Sequence, residues 1–506
     1  MKRVACTIVS NNYLAYARVL ANSLARHCPD VHFVTLIVDR PSGEIEYETL
    51  PFEVLFVQDL IENHEPICFR YSILELNTAV KPALLRHLFS AAGADQLLYL
   101  DPDIQVFSDL RPVWSALESA SIALTPHVLS PLANDDRTPN EISFLQSGVY
   151  NLGFLGLSNA PETQHLLDWW DKRLEERCLH AVETGLFVDQ KWMTFGPAYL
   201  GGATILRDRG LNVAYWNLPN RNVEQHGKEW RVDGEPLHFF HFSGYDLNDP
   251  DRVSKHQDRL DFDDAPSARP LYQQYSDHLM AQGHERYSAS EYGFAFFDNG
   301  EDVPEFARIV YRRNSDKADR WPRPFSTERG SFHQWLTEIE DEDLARPRFA
   351  LEVMRTRTDL IAEFPRVPGE NEPAFAAWMA TQATTQYKLA SPWLDQLDDY
   401  HHHSNEAETP GTEIRTSNRS EKSPKGLPDH LFLLHQGRPD LREAFPDPRG
   451  SDRRRFLFWW VTKGSLELGM PFRRVSSHAS GLPLPVRLTA LAHRLRRELF
   501  TAGVPQ

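Results

Sequence analysis

Cysteine is scarce in this chain. Its 506 residues hold four (Cys6, Cys28, Cys68 and Cys178), with no Cys-x-x-Cys pair. That excludes a disulfide scaffold and a zinc ribbon, and it fits reduced thiols in a cytoplasmic protein. Long apolar runs are missing too. The opening MKRVACTIVSNNY is too short in its apolar part for a signal-peptide core and reads as a first strand. No stretch approaches the ~20 apolar residues a membrane span needs. Positive charge is in deficit, with 54 Lys and Arg against 71 Asp and Glu and a net charge of −17. A general nucleic-acid binder, which needs a basic face to neutralise phosphates, is thereby excluded. What is present, 41% hydrophobic and 25% charged residues, is ordinary for a globular protein. At ~100–200 residues per domain the length corresponds to roughly three domains.

The first 240 residues alternate strand-like and helix-like segments. Val4–Val9, Phe33–Val38, Val54–Val57 and Gln96–Leu100 read as short apolar strands. Tyr13–His27 and Ala79–Ala92 carry apolar residues at helical spacing. This alternation predicts crossover units, a mostly parallel sheet and an α/β domain over residues 1–270. Such sheets bind ligands beyond the carboxyl ends of their strands.

Residues 271–397 have a different texture, charged and Trp-containing with helical spacing, and hold the first copy of an internal repeat. RTDLIAEFPRVPGENEPAFAAWM (Arg357–Met379) matches RPDLREAFPDPRGSDRRRFLFWW (Arg438–Trp460) without a gap, at a constant offset of 81. Each copy predicts a helix, a Phe-Pro turn, a Gly-containing loop and a second helix buried by its Phe and Trp. Phe332-x-x-Trp335-Leu336 is a weaker third echo. Between the clear copies, residues 398–429, including His401, His402 and His403, are nearly devoid of apolar side chains and predict a flexible linker. Residues 430–506 hold the second copy and a basic terminus. From Ser451 onward ten basic residues stand against three acids, and Leu488, Leu491, Leu495 and Leu499 form a helical stripe. A helix of that kind can lie on an anionic membrane surface or pack on its own protein.

Four motifs carry chemistry. In LLYLDPDIQVF, Asp101 and Asp103 flank Pro102 where a buried-type strand ends. Residues two apart on an extended backbone point to the same side, so both carboxylates can face one cation, and proline stiffens the pair. Three further Asp/Glu-rich tripeptides (Asp249–Asp251, Asp261–Asp263, Asp341–Asp343) do not end such a strand and read as surface. In LHFFHFSGY, His241 ends an aromatic strand and Gly244 permits close backbone approach to a ligand. Two carboxylates and an imidazole with open positions suit Mn²⁺ or Mg²⁺ clamping a diphosphate. GLFVDQKWM places Asp189 and Gln190 after an apolar stretch. SNNYLAYA places Asn12 and Tyr13 at a strand-to-helix turn, where a ring can stack on a base.

In this order the motifs over roughly residues 1–260 resemble the GT-A-fold glycosyltransferases of family 8, the group of glycogenin and bacterial lipopolysaccharide galactosyltransferases. The resemblance implies a metal-dependent, retaining transfer of a sugar from a nucleotide-sugar donor, a UDP-sugar, to a glycan or lipid-linked acceptor. By it, Asp101, Asp103 and His241 are the metal ligands and Tyr13 stacks on uracil with Asn12 beside it. Lys81, in TAVKPALLRHL, contacts the donor, Asp189 or Gln190 orients or stabilises the reacting sugar, and Asn151, in SGVYNLGFLGL, holds a sugar hydroxyl. The chain departs from the family in two places. Ser10 or Asn11 stands where an acidic residue is usual, and the lysine expected soon after His-Phe-x-Gly is absent, leaving Lys255 in VSKHQ as the candidate cation on the leaving phosphate. A nucleotidyltransferase would instead carry a Gly-rich basic loop near the first strand, which SNNYLAYA lacks. A non-catalytic sugar-nucleotide sensor would leave its donor whole.

Overall fold

Short apolar strands, buried along most of their length except at the two edges of the sheet, set the architecture. In the computed structural model they are β1 (Arg3–Val9), β2 (His32–Ile37), β3 (Glu53–Phe56), β4 (Gln96–Leu100), β5 (Ile104–Val106), β6 (Ile122–Leu124), β7 (Phe154–Ser158), β8 (Ala203–Ile205) and β9 (Phe239–His241). The structure describes residues 1–199, 201–314, 320–389, 392–406, 435, 439–448 and 450–461. Seven strands form one sheet in the order β8-β6-β7-β4-β1-β2-β3. The β1/β2, β1/β4, β2/β3 and β8/β6 pairs are parallel, and β7 runs antiparallel to both its neighbours. All five residues of β4 are buried, as an unbroken apolar run covered on both faces requires.

The chain leaves β1 toward β2 on one side, and β4 later adds on the other. The order therefore reverses at β1, and the crevice beyond the carboxyl ends of β1 and β4 is where this class of sheet binds ligands. Into that crevice project the loop after β4 and the two-stranded ribbon of β5 and β9, paired antiparallel with Ile104 opposite His241. The helices that fix the crevice are α1 (Leu14–His27), α2 (Lys81–Ser90), α3 (Glu141–Ser147), α4 (Pro161–Arg177) and α5 (Arg269–Ala281). The helix expected over Ala79–Ala92 is α2, and a separate helix, Ile73–Ala79, precedes it; Pro82 near the start of α2 lacks the N–H that a helix continuous with it would use. All four cysteines are buried. Among the described residues, no helix is long and apolar enough to cross a membrane.

The chain divides into two compact units, Met1–Phe297 with Pro322–Phe325, and Asp298–Trp321 with the residues from Ser326 on. The first unit thus runs past the boundary at 270 read from composition. Tyr272, Tyr275 and Leu279 of α5 are buried in the same apolar cluster as Phe240 and Phe242, so the helical texture there belongs to the sheet domain.

The second unit is helical, and its two repeat copies adopt one local structure. Helices Thr358–Glu363 and Pro439–Ala444 both end at a Phe whose N–H bonds four residues back, Phe364 to Leu360 O at 2.8 Å and Phe445 to Leu441 O at 2.9 Å. Next, Arg366 N donates to Asn371 Oδ1 (2.9 Å) and Asp447 N to Asp452 Oδ2 (3.1 Å), closing each Gly-containing loop with the same side-chain position. The following helices, Glu372–Trp378 and Arg453–Trp459, bring Phe375 and Phe456 within 5.5 and 5.4 Å of the turn phenylalanines. One expectation is corrected. Residues 398–406 are not linker, because helix Trp393–Glu406 continues through His401, His402 and His403, anchored by the buried stripe Trp393, Leu397, Tyr400 and Ser404. The rest of the expected linker and the basic stripe at Leu488–Leu499 lie outside the described residues.

Candidate active site

Asp101 follows β4 and Asp103 precedes β5, while His241 is the last residue of β9. The ribbon pairing carries His241 to the aspartates: its Nε2 lies 3.0 Å from Asp103 Oδ1 and 3.8 Å from Asp101 Oδ2. All three ligand atoms fall within 4.8 Å of one another. Two cis ligands on an octahedral ion at ~2.1 Å are about 3 Å apart; the His241–Asp103 pair has that spacing, and the His241–Asp101 pair, at 3.8 Å, is wider and would close on a bound ion. Two carboxylate oxygens and an imidazole nitrogen are donor types such an ion takes; His241 Nδ1, the other ring nitrogen, has no hydrogen-bond partner among the described residues. The residues present therefore fit a divalent cation.

Burial and neighbouring charges act together on these groups. Burial pushes the Asp101 carboxyl upward, only partly offset by Lys81 and His241. Burial pulls His241 down, but Asp103 and Asp101 outweigh it and the imidazolium is stabilised on balance. A cation at the three atoms would relieve the carboxylate crowding.

The floor of the site is Asn151-Leu152-Gly153, leading into β7. A methyl at Gly153 would overlap His241 Cε1 and sit 2.7 Å from Asp101 Oδ2, so only glycine lets the backbone pass beneath the cluster. Gly153 O accepts Asp101 N at 2.7 Å. The expected catalytic residues gather under this floor, each holding another. Gln190 Oε1 accepts Leu152 N (3.0 Å) and Asn151 Nδ2 (3.3 Å), and Gln190 Nε2 donates to Ser147 O (3.0 Å). Asn151 Oδ1 accepts Asn212 Nδ2 at 3.0 Å. Lys81 Nζ donates to Asp189 Oδ2 (2.5 Å) and Leu152 O (3.0 Å). Lys81, Asp189, Gln190 and Asn151 are all buried. Burial raises the Asp189 carboxyl, and Lys81 counters it.

Tyr13 stands at the mouth, 41% exposed, its ring stacked on Tyr16 at 4.6 Å. Burial, then Asp103 and Asp246, push its hydroxyl pKa upward, which places Tyr13 in the field of the cluster. Asn12 Oδ1 accepts Ser10 Oγ at 2.5 Å and stays in the turn. Gly244, at φ +72, accepts Lys255 N on its carbonyl at 2.9 Å, so the segment carrying Lys255 folds back on the turn after β9. The Asp249–Asp251 and Asp261–Asp263 carboxylates are exposed, as read from the sequence.

Three site residues escaped the sequence reading. His256 lies against Gly244, where an added methyl would overlap its Cδ2, and Asp103 raises its pKa against a larger lowering by burial. Trp216 meets the His241 ring edge-on at 5.2 Å. Tyr99 donates its hydroxyl to Asp101 Oδ1 at 2.7 Å. The same two-residue alternation that pairs Asp101 with Asp103 reaches back to Tyr99. His256 and Trp216 had no local signal.

No protein-family profile matches the chain. It is 31% identical over 251 residues to the uncharacterized protein YfnD of Bacillus subtilis (strain 168), covering 48% of this chain and 77% of that one. It is 24% identical over 292 residues to the uncharacterized protein YfnF of the same strain, covering 54% and 92%. Among solved structures, it is similar to the galactosyltransferase LgtC in complex with donor and acceptor sugar analogs (16% identity, 54% of this chain, 95% of that one, TM-score 0.33). It is also similar to the glycosyltransferase GlyE of Streptococcus pneumoniae TIGR4 (14%, 59% and 67%, TM-score 0.32) and to mouse xyloside xylosyltransferase 1 (16%, 47% and 97%, TM-score 0.29).

Proposed function

The chain belongs to the same family as YfnD of Bacillus subtilis, and from the site it builds we propose that it is a metal-dependent glycosyltransferase. It moves a sugar from a nucleotide-sugar donor, a UDP-sugar in the first instance, to a glycan or lipid-linked acceptor. One observation carries this reading: two carboxylates and an imidazole converge within 4.8 Å of one another where the strand order reverses.

In this reading Asp101 Oδ2, Asp103 and His241 Nε2 hold Mn²⁺ or Mg²⁺. The bound cation supplies Lewis-acid neutralisation of the diphosphate that departs. Tyr13 stacks on the base, with Asn12 fixing the turn that carries it. Lys255, whose backbone N–H bonds to Gly244 O, and His256, packed against Gly244, would be the cationic groups for the departing phosphates. The bond from the anomeric carbon to the diphosphate oxygen breaks, and a bond from that carbon to the acceptor oxygen forms. The hydroxyl proton passes to the departing phosphate. With retention, attack comes on the face the diphosphate leaves. Asp189, paired to Lys81 at 2.5 Å, is held as a counter-ion beneath the floor and not presented as a free nucleophile. Gln190, which accepts Leu152 N and Asn151 Nδ2, would hold the Asn151–Leu152 backbone that leads to Gly153.

Thermal shift tests donor binding with UDP-, GDP-, ADP- and TDP-sugars, each with Mn²⁺ and with EDTA. A ligand that binds only the folded state raises the midpoint by mass action. A rise with one donor, present in Mn²⁺ and lost in EDTA, is the expected result. No rise with any donor in folded protein counts against the reading.

A further inference from the structure

Asp101 has two carboxylate oxygens, and the fold treats them differently. Oδ1 accepts the Tyr99 hydroxyl at 2.7 Å, whereas Oδ2 faces His241 Nε2 at 3.8 Å and the Gly153 backbone. The Tyr99 ring is itself held. Lys81 Nζ lies 4.0 Å from the ring centroid, and its other contacts are Asp189 Oδ2 at 2.5 Å and Leu152 O at 3.0 Å. Tyr99 and Lys81 are 2% and 1% exposed, so water does not compete for these contacts. A continuous buried chain therefore runs from Asp189 through Lys81 and the Tyr99 ring to the Asp101 carboxylate.

We propose that Tyr99 and Lys81, neither of which offers an atom to the cation, are positioning residues that set the divalent-metal affinity of the Asp101–Asp103–His241 cluster. The proposal rests on the metal reading above and goes beyond it. A carboxylate is free to turn about its last bond, and a turned Asp101 would spend Oδ2 on the His241 imidazole. The Tyr99 hydroxyl removes that freedom by engaging Oδ1, which leaves Oδ2 as the oxygen available to the cation. Lys81 fixes the ring from its face, an attraction that strengthens where the pair is desolvated. Groups that orient ligands in this way typically change metal affinity 10–100-fold when removed. The family position expected to contact the donor thus acts here through the floor of the site.

Full-length protein titrated with Mn²⁺ alone, followed by the electron paramagnetic resonance signal of the free ion, reads the affinity directly. Tyr99→Phe keeps the ring and its contact with Lys81 and deletes only the hydroxyl. It should weaken Mn²⁺ binding at least tenfold, while the metal-free melting midpoint stays near that of a control. Tyr71→Phe, which deletes a buried hydroxyl bonded to Leu174 O, is that control and should leave Mn²⁺ affinity unchanged. Lys81→Met alone would strand the buried Asp189 charge. The double variant Lys81→Met with Asp189→Asn removes the pair together and should also weaken Mn²⁺ binding about tenfold. Unchanged affinity in folded Tyr99→Phe would overturn the positioning role, with the metal reading intact. Wild-type protein that binds no Mn²⁺ would overturn the metal reading itself.

Discussion

A single hydrogen at position 153 keeps the cluster accessible, because any side chain there would enter the space of His241 and Asp101. Gly153→Ala should therefore lower Mn²⁺ affinity and turnover at least tenfold while all three ligand residues remain, checked by metal titration on protein with an unchanged circular dichroism spectrum. Asp101→Ala deletes a ligand at a partly open position and should remove at least a hundredfold of metal-dependent activity without unfolding the chain. His127 offers a pH test. Burial lowers its pKa from 6.5 to about 4 in the folded state. Between those values the unfolded chain takes up a proton that the folded chain refuses, so stability falls as pH drops through this window. The full loss is on the order of 3 kcal/mol. The urea midpoint of the wild type should therefore fall more between pH 7 and 4.5 than that of His127→Phe. The cluster of Asp101, Asp103 and His241 was legible in the sequence because Asp101 and His241 lie at strand ends and Asp103 stands two residues after Asp101. The mutual saturation of Lys81, Asn151, Asp189 and Gln190 was not, since it depends on contacts between residues 38 to 108 positions apart that no local pattern encodes.

Elements were legible where the apolar period was long. The first, second and fourth strands and α1 fall within two residues of their expected ends, because consecutive buried positions leave one reading. The helix through His401–His403 was missed because its anchors, Trp393, Leu397 and Tyr400, precede a polar tract that composition alone assigns to linker. The repeat was read from the sequence, and the described residues of its two copies share the same turn and loop contacts. Phe375 is fully buried against Phe364, and the side chain of Asn371 or Asp452 closes the preceding loop. Phe375→Ala should cost about 3–5 kcal/mol, and Asn371→Ala about 1 kcal/mol, both read as a lower melting midpoint of the helical unit.

At the scale of the molecule, two units with separate cores should unfold in separable steps. Calorimetry should resolve a transition raised by Mn²⁺ with donor and another lowered by Phe375→Ala. A single transition moved equally by both would contradict that division. The mostly parallel sheet and the reversal of strand order at β1 account for where Asp101, Asp103 and His241 converge. The most direct test is release of nucleoside diphosphate from a panel of nucleotide sugars by wild type and folded Asp101→Ala, each in Mn²⁺ and in EDTA. Release from one donor, confined to the wild type in Mn²⁺, is the predicted result. Equal release in EDTA or by Asp101→Ala, or no release from any donor by metal-loaded wild type, would contradict the account.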